Sequence, residues 1–233
     1  MEFPSDMRHC HRRMSDDIDE SYKSLLQNNR AWVEAQLAED PEYFKRHAAG
    51  QSPQYLWIGC SDSRLPPNTI TGTGPGEIFI HRNIANLVVH TDSNMLSVLQ
   101  YAVEVLKVRH VIVCGHYACG GVAAALSSKD LGLINDWLRH IKDVSRLYRD
   151  ELRAYATLEQ QQRRLVELNV IEQVYNLGKT SIIQRAWHER GGPTIHGWVY
   201  DVADGLIRDL GVNFRSADAH DQFYRYDYSE SAR

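Results

Sequence analysis

Short apolar runs closed by glycine or a ligand-type residue alternate, along this chain, with longer stretches whose apolar positions recur every three or four residues. Tyr55 to Gly59, Glu77 to His81, Val111 to Cys114 and Thr194 to Val202 are runs of the first kind, and they predict buried strands. Leu206 to Leu210, after the Asp204-Gly205 turn, predicts a fifth segment at an edge. Helical spacing appears first over Ser21 to Glu39, where Leu25, Leu26, Trp32, Val33 and Leu37 recur before Pro41 stops the pattern. A short helix is expected over Pro41 to His47. Asn94 to Leu106 places Leu96, Leu99, Val103 and Leu106 on one face, with Ser93 or Asp92 as cap. Gly120 to Leu126 opens another helix. Leu133 to Leu177 holds no Gly or Pro and predicts helices broken near Ala156; Lys179 to Arg190 continues until Gly191-Gly192-Pro193.

Strands alternating with helices predict an α/β fold: a central, mostly parallel β-sheet of about four parallel strands plus an edge strand, flanked by helices, with an N-terminal helical arm. Residues 18–212 read as a single α/β domain, 1–17 as a mobile tail and 213–233 as a C-terminal tail. In that last tail Phe223, Tyr224, Tyr226 and Tyr228 either pack on a partner subunit or do nothing. Leu65 to Gly76 is too rich in Gly and Pro for a helix throughout, and reads as a crossover with one helical turn. It is no phosphate loop, because no Gly-Lys-Ser/Thr follows it.

Sites in parallel sheets lie beyond the carboxyl ends of the strands. Cys60 and His116 both fall there, each directly after a glycine that lets the chain turn, and Cys119 follows three positions beyond His116. Two thiols and one imidazole are zinc ligands by type, and three protein ligands leave a fourth position open, as catalytic zinc does. The plainer reading of Cys60 and Cys119 is as small buried hydrophobes. Cys114 points to the other face of its strand and reads as core. Asp62 and Arg64, just beyond Cys60, form either a carboxylate that accepts a hydrogen bond from metal-bound water, steadied by a bidentate guanidinium, or an ordinary surface pair. Two thiolates cancel the charge of the dication, so such a centre acidifies its water less than three imidazoles do, and activity is expected to rise above neutral pH.

Composition narrows the field. The chain has 233 residues, a net charge of −4 and mixed signs throughout, which offers no footprint for nucleic acid or a membrane surface. No apolar run approaches a bilayer span and no signal-like start is present, so a reducing, cytoplasmic setting is expected. Four cysteines in such a setting are not a disulfide framework. His9, Cys10 and His11 cluster as either a metal-binding tract or part of the tail.

Three motifs in order, Cys60-Ser61-Asp62-Ser63-Arg64, His81-Arg82-Asn83-Ile84-Ala85-Asn86 and Gly115-His116-Tyr117-Ala118-Cys119-Gly120-Gly121, resemble the β-class carbonic anhydrases; His196 to Val202 resembles that family's last core strand. The resemblance runs from about Ser21 to Val212. It implies reversible hydration of carbon dioxide to bicarbonate and a proton by attack of zinc-bound hydroxide. It also implies zinc on Cys60, His116 and Cys119, an Asp62–Arg64 dyad, and a dimer, often paired into a tetramer, in which the first helix embraces the neighbour. It is closer to the bicarbonate-regulated bacterial branch. That branch implies an inhibitory bicarbonate pocket at Trp57, Arg82 and Tyr200, and Asp62 as a fourth zinc ligand in a closed state. Trp57 and Tyr200 also read as core. The expected lining for carbon dioxide is Leu87, Val88 and Tyr101. Two enzymatic or structural rivals share these residues: hydrolysis of carbon disulfide or carbonyl sulfide, and a zinc site that only braces an assembly. A zinc nucleobase deaminase is excluded, since its His-x-Glu and Pro-Cys-x-x-Cys are missing.

Overall fold

The computed structural model describes residues 5–219 and 221–228, with side chains from 20 to 218 and from 221 to 228. The chain divides into two units, one ending at Gly50 and the other beginning at Gln51. In the first, α1 (Ser5–Glu39) is followed by α2 (Tyr43–Ala48). The helix α1 begins well before Ser21, taking in most of the stretch read as a tail. Nothing between Pro4 and Pro41 breaks it, since neither Gly nor Pro occurs there. The side chains of His9, Cys10 and His11 lie outside the described residues. Trp32 meets Phe44 edge-on at 5.4 Å and Tyr43 at 6.2 Å between ring centroids, which fixes the turn between the two helices. Tyr22, Leu25, Leu26 and Leu37 on α1 are exposed.

The second unit is built on a five-stranded sheet: β1 (Tyr55–Cys60), β2 (Ile78–Asn83), β3 (His110–His116), β4 (Thr194–Tyr200) and β5 (Ile207–Phe214), in the order β2-β1-β3-β4-β5. Only the β4–β5 pair is antiparallel. The crossover between β1 and β2 carries one short helix, α3 (Pro67–Thr71), as its Gly/Pro content allows. The edge strand β5 runs on to Phe214, past the expected Leu210. Its alternation of half-buried and exposed residues is that of a strand with one covered face.

Period-two side-chain alternation decides what each face does. Leu56 and Ile58 of β1 and Val111 and Val113 of β3 point into the main core, which α4 (Ser93–Gln100), α5 (Gly120–Ala125), α6 (Ile134–Leu147), α8 (Leu158–Gly178) and α9 (Ser181–Arg190) complete. Trp57, Ile112 and Cys114 point the other way, packed with Ile70, Trp198 and Tyr200. Cys114 is therefore core, as its strand parity requires. Asp92 caps α4 by accepting from the N–H groups of Asn94 and Met95, and the helix then loosens into a π turn over Tyr101–Val105. The break expected near Ala156 falls between the short α7 (Arg149–Arg153) and α8, where Thr157 and Gln160 form a capping box. The aromatic tail folds back on α9 of its own chain: Gln184 Nε2 donates to the Tyr224 carbonyl, and Tyr226 N–H to Gln184 Oε1.

Candidate metal centre

Register brings the sequence-distant motifs together. Gly59 lies opposite Cys114 and Cys60 opposite Asn83, so the carboxyl ends of β1, β2 and β3 open at one edge. Gly115 lets α8 approach: a Cβ there would stand 2.6 Å from Val170 Cγ2 and 3.4 Å from Val166 Cγ1. Gly115→Ala therefore forces β3 off α8 just before His116. The expected cost is about 1–3 kcal/mol of stability, typical of an overpacked core, together with less bound zinc after dialysis; thermal unfolding and metal analysis measure both.

Cys60 Sγ and Cys119 Sγ are 4.0 Å apart. With His116 they form a buried set whose ligand atoms all lie within 4.8 Å of one another. A zinc ion, which takes thiolate sulfur at about 2.3 Å, would fit between sulfurs at that separation. The imidazole is aimed by its other nitrogen: His116 Nδ1 lies 2.9 Å from the Tyr117 carbonyl, which only accepts, so the proton sits on Nδ1. That leaves Nε2 with a free lone pair, and among the described residues it is buried with no hydrogen-bond partner. A buried acceptor without a donor is costly unless something else binds it, and a metal ion held by these three residues would do so.

The sulfurs fit the same ligand. Cys60 is held down to about 4 chiefly by the hydrogen bond from Cys119, then by the N–H groups of Asp62 and Ala85; Cys119, on the other side of that shared bond, is pushed up. The pair thus carries one ready thiolate, and a dication is what lets both ionise. The N–H groups of Gly121 and Val122 at the start of α5 favour that ionisation of Cys119.

Asp62 and Arg64 stand beside the triad. Asp62 Oδ1 accepts from Arg64 N–H at 3.0 Å and Arg64 Nε at 2.9 Å, and Oδ2 accepts from an Arg64 terminal nitrogen at 2.7 Å. The same guanidinium reaches the Ala118 carbonyl at 3.4 Å. This grip, first through the side-chain bonds from Arg64, holds the Asp62 carboxyl well below the usual carboxylate range. Asp62 Oδ2 is 3.8 Å from His116 Nε2. An ionised acceptor thus faces the position between the ligands.

Trp57 and Tyr200 share the sheet face of Cys114. The side chain of Arg82 is spent on the loop that follows β1, with Nε donating to the Cys60 carbonyl at 2.9 Å and a terminal nitrogen to the Asp62 carbonyl. A cavity of about 410 Å³ reaches Cys119, lined by Arg64, Tyr117, Val122, Arg163 and Val166 among others. Leu87, Val88 and Tyr101, the expected lining, do not border it. Leu87 and Val88 are buried in the main core, and Tyr101 is exposed at the start of the π turn, against Phe79. Apolar character alone points to these three; the cavity beside Cys119 is walled in part by α8 residues such as Arg163 and Val166. Tyr117 stands in the motif with no role assigned from the sequence. Its N–H donates to the Tyr200 carbonyl, its hydroxyl to Glu167, and Arg163 lies 3.7 Å over its ring. Its position beside His116 in the motif was the available signal.

Comparison with known proteins agrees with this geometry. The carbonic anhydrase family model matches residues 55–207. A carbonic anhydrase of Emericella nidulans is 51% identical over 197 residues, covering 84% of this chain and 86% of that one. A tetrameric β-carbonic anhydrase of Sordaria macrospora superposes with a TM-score of 0.81 at 41% identity, covering 84% of this chain and 99% of its own. The β-carbonic anhydrase CafA of Aspergillus fumigatus does so with a TM-score of 0.79 at 41% identity, covering 82% and 91%. Zinc is the metal of that family, and the chain, whose Cys60, His116 and Cys119 converge as such an ion requires, belongs to the β-class carbonic anhydrases.

Proposed function

We propose that the chain hydrates carbon dioxide reversibly to bicarbonate and a proton at this centre, with Asp62 and Arg64 as its working dyad and bicarbonate as its inhibitor. The observation that carries the reading is the unpartnered, buried His116 Nε2, set between two sulfurs and 3.8 Å from an ionised carboxylate. Bound there, zinc supplies the Lewis acidity that makes water a nucleophile near neutral pH. The protein's own groups do the rest. Asp62 offers a fixed acceptor that orients the nucleophile, and Arg64 keeps that acceptor charged and aimed. Tyr117 locks the imidazole tautomer through its carbonyl. The proton and the anion leave toward solvent, and the Arg64 guanidinium at the cavity wall favours an anion there.

Inhibition by bicarbonate has a physical route in Arg82. Its guanidinium bonds the carbonyls of Cys60 and Asp62, so an anion that recruits it withdraws donors from the backbone beneath Asp62. The loosened carboxylate then swings away from Arg64 toward the ligand set and closes the site. Cooperative loss of hydration rate with added bicarbonate, followed by stopped flow, is the expected result. Tyr200→Phe should turn that curve hyperbolic while leaving the rate without bicarbonate within about twofold. Hyperbolic inhibition of the wild type at every pH would remove the regulatory part of the reading and leave the hydration part standing.

Self-association completes the proposal. The exposed Tyr22, Leu25, Leu26 and Leu37 on α1 suit a neighbouring copy, and the Sordaria macrospora relative is tetrameric. Among the described residues no helix is long and apolar enough to cross a membrane.

A further inference from the structure

The segment after β2 is held in an unusual shape. Ala85 and Asn86 both take left-handed backbone angles, φ +62° and +50°, which residues with a Cβ rarely adopt. Such a turn persists only where its surroundings over-determine it. Here the surroundings come from one face of α8. Asn169 and Gln173, at i and i+4, are 1% and 2% exposed, an unusual depth for two amides. They are joined to each other, Gln173 Nε2 donating to Asn169 Oδ1 at 3.1 Å. Asn169 Nδ2 then donates to the Ala85 carbonyl at 3.1 Å, and Gln173 Oε1 accepts from Val88 N–H at 2.8 Å. The two ends of the turn are thus tied to a single helix by one ladder. What the turn presents, on its other side, is the N–H of Ala85, 3.4 Å from Cys60 Sγ.

We propose that Asn169 and Gln173 are positioning residues for the metal centre: their buried ladder holds the left-handed Ala85–Asn86 turn so that the Ala85 N–H bonds the Cys60 sulfur. An N–H on a thiolate withdraws charge from it and fixes its direction, which sets how strongly that sulfur donates to the ion. The same helix face carries Val166 and Val170 against Gly115, so α8 seats the strand of His116 and the turn over Cys60 together. The inference rests on zinc at Cys60, His116 and Cys119.

Asn169→Asp tests it with almost no change of shape. The carboxylate keeps an acceptor for Gln173 Nε2 but presents an oxygen, not a donor, to the Ala85 carbonyl. The readout is the sulfur-to-cobalt charge-transfer band of the cobalt-substituted protein, with zinc affinity from chelator competition beside it. The wild-type band first establishes thiolate ligation; its absence would sink the zinc reading itself rather than the ladder. Given that band, Asn169→Asp is expected to shift it to longer wavelength, as a more electron-rich sulfur requires, and to weaken zinc binding roughly tenfold or more. Gln173→Glu, which keeps the acceptor for Val88 N–H and loses the donor to Asn169, should move the band the same way, and it carries the test if Asn169→Asp fails to fold. A variant that lowers the melting temperature yet leaves band and zinc affinity at wild-type values would show the ladder to be structural only and overturn the proposal.

Discussion

Cys60→Ser leaves a folded sheet that no longer keeps its zinc through dialysis. A serine hydroxyl does not ionise at working pH, so the site exchanges an anionic sulfur, already drawn down to about 4 by its hydrogen bonds, for a neutral oxygen. Structural zinc sites bind with about 10–16 kcal/mol over four ligands, which is about 3 kcal/mol per ligand, or roughly a hundredfold in affinity. Because zinc binds the folded chain, that loss also appears as stability: a hundredfold weaker site at saturating metal forfeits about 2.7 kcal/mol, a fall of roughly 5–10 °C in melting temperature for a domain of this size. Hydration activity should drop with zinc content. Cys114→Ser is the control, since Cys114 is fully buried on the opposite sheet face, packed with Trp57 and Ile112. Metal analysis of the two variants decides the matter: equal zinc in both, at one per chain, would refute the ligand assignment for Cys60.

How far the sequence reaches here depends on the range of the interaction being read. Apolar runs place β1 and β3, because a strand buried on both faces needs nothing but consecutive apolar residues. The ligands at their ends follow from the geometry of parallel sheets, so Cys60, His116 and Cys119 are legible without coordinates. Asp62 and Arg64 are legible as a pair because they are two residues apart and their bond is local. The amide ladder is not, since Asn169 and Ala85 meet across 84 positions and a polar residue on a long helix reads as a solvent position. The walls of the cavity beside Cys119 are not legible for the same reason: Val122 and Val166 reach it through helix packing that no local pattern encodes. At the amino terminus the error has another source. Apolar periodicity begins only near Leu25, whereas α1 continues back through polar sequence where nothing interrupts it.

Asp62→Asn should lower the hydration rate by about a hundredfold to a thousandfold, within the range for a positioned proton acceptor, while zinc content stays at one per chain. The asparagine oxygen can still take the Arg64 backbone N–H, but its amide hydrogens then meet the guanidinium where a carboxylate oxygen used to accept. The dyad loses its charge and the site its aimed acceptor, while Cys60, His116 and Cys119 are left untouched. The pH behaviour separates this role from a titrating one. The folded Asp62 carboxyl lies below its ordinary value of about 3.9, so the stability it contributes is in place above that value and is lost only as pH falls through the lower, folded one. Between pH 5 and 9 Asp62 stays ionised. Wild type and Asp62→Asn should therefore differ in melting temperature by a constant amount across that window, and any rise in wild-type rate with pH comes from another group. The proposed closed state would depend on the same ionised oxygen, so the variant should also lose any cooperative inhibition by bicarbonate and any steep fall in activity on the acid side. Stopped-flow hydration from pH 6 to 9, with zinc measured on each sample, gives both results. A variant that turns over carbon dioxide within threefold of the wild type, with an unchanged pH profile, would remove Asp62 from the mechanism and leave Arg64 as a surface partner only.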